Sequence, residues 1–398
     1  MDGTFIPASV GKRVVLHFPG FEPLDAARHR ERYRRSVEKT ATLWGFRAEV
    51  AGLESEGGGS RFAVRTSGEG WQTVTRLHVF DHDDIVARLN GRPLVKRLAC
   101  GFLAAFRVVV EGAGFGYFRH AWRFGLFFAV PFVVVLLALV ASLALSSYPL
   151  WLGLALWQIP LAVIAAYLLF CRVFIRWSDT YHVLHLFSDW EMAVAVARGD
   201  DASVNAWLDA CAVAARNALE EEADEYLITS HSMGSSAAVH VIGMLLEREP
   251  ELFAGKRVVF ATLGGAVLQC ALLRSARCLR ARVGTIARAR DIAWLDVQCL
   301  TDAVNFYRAR VVALCGHEDA PQARIVFIRL KAMLTSERYR KVKRDLLRVH
   351  RQYVLDADRK TNFDFSLMTA GPLPASSFFG FAAGQSPESA LEALKAPN

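Results

Sequence analysis

Tyr226-Leu-Ile-Thr-Ser-His-Ser-Met-Gly-Ser-Ser236 is the stretch that decides the fold: an apolar β run enters a tight turn of small residues and leaves as a helix. The exit reads as helix because Ala237, Val241, Met244 and Leu245 fall on one face at α-helical spacing. Downstream the pattern keeps alternating. A helix over residues 233–248 is followed by strands at 257–261, 292–298 and 324–328, then by a helix across 337–353. Upstream, residues 203–219 place Val204, Leu208, Cys211, Ala215 and Leu219 on one stripe, a helix leading into the strand at 226–229.

The first ninety residues carry the same signals. Residues 12–18 form a β-branched run that stops at Pro19-Gly20, and residues 25–44 set Tyr33, Val37, Ala41 and Trp44 on one helical face. Strands are predicted at 46–51, 61–66 and 71–79, with a Gly/Ser-rich turn at 56–60 between the first two. Such alternation predicts an α/β fold, a mostly parallel sheet flanked by helices.

Between the two blocks the chemistry changes. Residues 124–145 and 150–171 contain no charged side chain, and each is about as long as the roughly 20 residues that cross a hydrocarbon core. Only residues 146–149 separate them, which predicts a tight two-helix transmembrane hairpin. Arg119 and Arg123 precede it and Arg172 and Arg176 follow it. The positive-inside rule then puts both ends in the cytoplasm, at a bacterial inner membrane. Residues 94–116 are apolar with occasional cations and are expected at the membrane interface. The expected domains are 1–93, a membrane insertion at 94–177, a block at 178–383 and a loosely ordered tail at 384–398.

Composition agrees with a membrane protein: 53% of the 398 residues are hydrophobic, above the roughly 45–50% of soluble domains. The net charge of +8 comes from arginine clusters at 28–35, 274–290 and 338–351. No zinc spacing or RNA-binding signature accompanies them, so anionic lipid headgroups are the favoured partner over nucleic acid. Seven scattered cysteines without a C-x-x-C pair indicate neither a disulfide framework nor a metal centre. The first seven residues lack the regions of a signal peptide, and a reducing compartment is expected. Leu263-Gly-Gly-Ala266 lacks the lysine of a phosphate-binding loop, and no cofactor is implied.

Ser230-His231-Ser232-Met233-Gly234, with its strand before and helix after, resembles the nucleophile elbow of the α/β hydrolases. Serine stands where that motif has its first glycine. The resemblance covers residues 10–90 and 180–370 and implies a serine esterase or lipase-like enzyme with Ser232 as nucleophile. It further implies an acid and then a histidine downstream. Asp302 follows the strand at 292–298 and suits the acid; Asp296, inside that strand, is the rival. His350 follows the last strand and suits the base, with His317 as alternative. About twenty residues separate His350 from that strand, more than a short loop. His231 is expected to point away from the serine side of the turn, as a packing or hydrogen-bonding residue. The Met233 amide and the Phe21 amide of His17-Phe-Pro-Gly-Phe21 are the expected oxyanion donors. The implied substrate is an acyl ester, for a membrane protein a lipid or lysophospholipid. Two other readings share the sequence: a catalytically inactive membrane scaffold on the same fold, and a transporter component.

Overall fold

The computed structural model describes residues 9–56 and 59–395. The turn expected at 56–60 and the reading of the first seven residues lie, in part or wholly, outside them. The chain divides into two compact units, Met1–Ile85 with Ala195–Asn398, and Val86–Val194.

The first unit is built on one sheet. Its strands are β1 (Lys12–Phe18), β2 (Arg47–Val50), β3 (Glu54–Glu56), β4 (Gly59–Gly68), β5 (Trp71–Val79), β6 (Glu225–His231), β7 (Val258–Leu263), β8 (Ile292–Cys299) and β9 (Arg324–Ile328). They are ordered β2-β4-β5-β1-β6-β7-β8-β9, with β3 beside β4. From β5 to β9 every pairing is parallel, while β4 pairs antiparallel with β2, β3 and β5. The two-residue Glu69-Gly70 turn can only fold β5 back against β4, whereas the helical crossovers bring the later strands in parallel.

Helices cover both faces, so β6 and β7 are buried along their whole length, β7 as an almost wholly apolar run and β6 with Glu225, Thr229, Ser230 and His231 among its buried residues. On one face Tyr33, Val37, Ala41 and Trp44 of helix Ala26–Trp44 join Val15, Leu227, Val259 and Leu295 in one core, with Phe363, Phe365 and Leu367 from the C-terminal segment. Asp25 starts that helix by accepting from the Arg28 amide. The other face is covered by helices Ala202–Glu220, Gly234–Arg248 and Arg277–Arg288. At the N-terminal edge of the sheet, Arg13 and Glu225 form a fully buried ion pair at 2.7 Å. The Arg13 guanidinium also donates to the Gly371 and Leu373 carbonyls, and Glu225 accepts from the Ala375 amide. Full satisfaction is what makes a buried pair tolerable, and here it fastens the C-terminal segment beneath β1 and β6.

Two elements differ from their sequence reading. The single helix expected over 337–353 is two, Ser336–Val342 and Leu346–Arg351, because Asp345 caps the second by accepting from the Arg348 amide. The tail, expected to be loose, holds helix Pro387–Lys395 with Ala390 and Leu391 buried and Glu388 accepting from the Trp71 indole.

The second unit is helical and contains two helices long and apolar enough to cross a membrane, Trp122–Trp151 and Gln158–Asp179. The hairpin bend is not at 146–149. Ser146 and Ser147 return their hydroxyls to the Ser142 and Leu143 carbonyls and stay helical, as does Pro149. The helix ends beyond Trp151, where Gly153 adopts φ = +66°. Leu126, Val130, Val133, Leu137, Val140 and Leu143 remain exposed along it, a surface that suits lipid. The segment expected at the interface is a pair of helices, Leu94–Val110 and Ala113–His120, meeting at 71°. Together they pass the same length and apolarity test, as a broken span or a re-entrant loop.

Candidate active site

Ser232 leaves the end of β6 with φ = +54°, a conformation that costs a non-glycine residue about 1–3 kcal/mol. The turn is held from both sides: Ser232 N donates to the Leu263 carbonyl, and the Ser232 carbonyl accepts from the Ser235 and Ala266 amides. Gly234 is the residue the turn requires. A Cβ there would lie 2.3 Å from the Pro19 oxygen and 2.4 Å from the Phe18 oxygen, so only glycine lets the elbow press against the end of β1. Ser230 is no obstacle, because its buried hydroxyl donates to Ser235 Oγ at 3.1 Å.

Asp302 lies three residues beyond β8 and is fully buried, with Oδ1 accepting from the Val304 amide. Its Oδ2 stands 2.8 Å from His350 Nδ1. The length of chain before His350 is absorbed by the two short helices, the second of which delivers the imidazole. His350 Nε2 is buried and has no hydrogen-bond partner among the described residues. His317, the alternative, is held elsewhere, with Nε2 against the Arg280 carbonyl on helix Arg277–Arg288. Asp296, the rival acid, is buried in β8 and accepts from Thr262 Oγ1 and Gln298 Nε2. Burial pushes its pKa up to about 6, partly offset by those two donors.

His231 packs and hydrogen-bonds, as expected of it, and its partner is the His350 segment. Its ring centroid is 4.6 Å from that of His350, and its Nε2 is 3.0 Å from the His350 carbonyl. Burial, and then the neighbouring His350, drive its pKa down to about 3, so the ring is neutral and Nε2 carries the hydrogen it donates. The residue before Ser232 therefore docks the histidine-bearing helix onto the elbow.

The expected oxyanion loop passes close to Ser232. A Cβ on Gly20 would approach Ser232 Cβ and His231 Nδ1 to 3.0 Å, which places the loop directly against the serine. The Met233 amide donates to no acceptor among the described residues. Phe21 is buried, its ring 6.1 Å from that of His82. Glu22, next in sequence, pairs with Arg32 and reaches Arg351, the neighbour of His350, at 3.9 Å. Burial alone would raise its pKa, but the facing cations, Arg32 foremost, pull it down to about 2.

His82 lies between Phe21 and Trp207, buried, with neither ring nitrogen hydrogen-bonded among the described residues. Burial lowers its pKa from 6.5 to about 4. Between about 4 and 6.5 the unfolded chain holds this proton and the folded one does not, so the stability it supports above pH 6.5 is lost on acidification through that window. His82→Phe is expected to raise stability by about 1 kcal/mol and to flatten the acid limb by one proton. Thermal melts from pH 4 to 7.5 measure both, and an unchanged slope would mean that the ring is charged in the folded protein.

Comparison with known family models, curated proteins and solved structures gives no match. No group of histidine, cysteine and carboxylate side chains suited to a metal ion occurs among the described residues.

Proposed function

We propose that the chain is a membrane-anchored serine hydrolase of the α/β-hydrolase type, acting on an acyl ester, with a bilayer lipid or lysophospholipid as substrate. The observation that carries this reading is the buried Asp302–His350 pair packed through His231 onto a serine held at positive φ. His350 Nε2 takes the proton from Ser232 Oγ as the oxygen attacks the ester carbonyl, while Asp302 holds Nδ1–H and steadies the imidazolium. The Met233 and Phe21 amides receive the oxyanion. His350 returns the proton to the departing alcohol, then activates the water that releases the acid. The arginines flanking the apolar helices support a catalytic unit on the cytoplasmic side of a bacterial inner membrane.

The rival is an inactive scaffold, and one observation favours it: Ser232 Oγ makes no hydrogen bond to His350 Nε2. Catalytic contacts of this kind often close only when substrate is bound. Fluorophosphonate labelling of the detergent-solubilised protein separates the two. Wild type is expected to label and Ser232→Ala to remain unlabelled; a folded wild type that stays unlabelled would establish the scaffold. Among labelled preparations, long acyl esters are expected to turn over faster than short soluble ones, and the opposite order would remove the lipid assignment.

A further inference from the structure

The stretch that carries His350 is also strongly basic. Ser336–Val342 and Leu346–Arg351, with the turn between them, hold seven cations and two carboxylates. Four of the cations are engaged: Arg338 by Asp356 and Asp358, Lys341 by Glu337, Arg348 by Asp345 and Arg351 by Glu22. Arg340, Lys343 and Arg344 are exposed, and their side chains have no ion pair or hydrogen bond among the described residues. Leu346 stands exposed beside them, 46% accessible, an apolar side chain set among free cations. That combination suits the headgroup region of a bilayer, where cations meet phosphate and an adjacent leucine reaches the acyl boundary. The chain's apolar helices would keep such a surface close at hand, which raises the effective concentration of the encounter.

We propose that residues 336–351 dock on the anionic headgroups of the bilayer that anchors the chain, and that docking fixes His350 for catalysis. The regulatory half rests on the serine-hydrolase reading; the docking half does not. The coupling is short. Arg344 and Leu346 lie within six residues of His350, and the helix between them is only six residues long, so a restraint on its first turn is a restraint on the imidazole.

The test uses the full chain in nanodiscs of either neutral phosphatidylcholine or the same lipid with 30% phosphatidylglycerol. Amide hydrogen exchange over residues 336–349 is expected to slow about tenfold in the anionic discs, and the protection to fade at high salt. Fluorophosphonate labelling of Ser232 is expected to quicken about fivefold in the same discs, an order-of-magnitude figure for a modest population shift. Substituting Arg340, Lys343 and Arg344 together by alanine, all at exposed positions, should hold both readouts at their neutral-disc values. Equal exchange in the two lipids overturns docking. Protection by an oligonucleotide in neutral discs, without protection by anionic lipid, overturns it in favour of a nucleic-acid surface. Protection with unchanged labelling overturns the control of His350. Absence of labelling in every disc counts against the hydrolase reading and leaves the exchange result to decide docking.

Discussion

Asp302→Asn is expected to lower ester turnover by about 10³–10⁴-fold while the protein stays folded. The geometry explains why so small a change does so much. Asp302 Oδ1 accepts from the Val304 amide, and an asparagine oxygen there keeps that bond. The new amide nitrogen then faces His350 Nδ1, which must become the acceptor, so the neutral ring carries its hydrogen on Nε2. In that tautomer Nε2, the nitrogen proposed to take the serine proton, has no lone pair to offer. Steady-state kinetics on a chromogenic ester, beside a thermal melt, make the measurement. A variant that keeps a tenth of the wild-type rate would show that Asp302 does not orient the base.

Gly234→Ala is expected to cost about 3 kcal/mol or more of stability and to abolish labelling in whatever fraction remains folded. The added carbon meets two backbone oxygens, those of Phe18 and Pro19, at 2.4 and 2.3 Å. The Phe18 oxygen cannot swing aside, since β1 is paired along its length with β5 and β6 and Phe18 itself sits opposite Ser230 of β6. The elbow or the Gly20 loop must move instead, and either shift separates Ser232 from the loop that faces it. Gly20→Ala is the milder counterpart. Its contacts are 3.0 Å, to a side-chain nitrogen and a side-chain carbon, so stability should fall less than activity. Chemical denaturation in detergent ranks the two, and equal losses would mean that the elbow is not wedged against β1.

Much of the fold can be read from local pattern, because strands and helices here announce themselves by spacing. Tyr33, Val37, Ala41 and Trp44 predict their helix face, and all four are buried. Asp302 and His350, chosen only for following strands, lie within hydrogen-bond reach of each other. What escapes the sequence is set by contacts between distant segments or by competition within a turn. The stacking of His231 on His350 joins residues 119 apart, and nothing local announces it. Glu22 looks like an ordinary loop carboxylate until Arg32 and Arg351 are seen to face it. Pro149 suggests a stop, yet the helix runs on to Trp151 with its serines bonded back into the preceding turn. Asp345 would have been the signal for the break in the long helix, since an aspartate can cap as readily as it can decorate a helical surface.

The order of the strands also has a consequence in time. β1 lies between β5 and β6, yet roughly 150 residues, including both apolar helices, are synthesised after β5 and before β6. At about 5–20 residues per second, β1 is left with one open edge for some 7–30 s. For that interval a nascent half-sheet is presented to its surroundings while the apolar helices are being made. Its open edge of Val14, Val15 and Leu16 is a natural client for chaperones, and cells short of them should lose this protein to aggregation before its second half emerges.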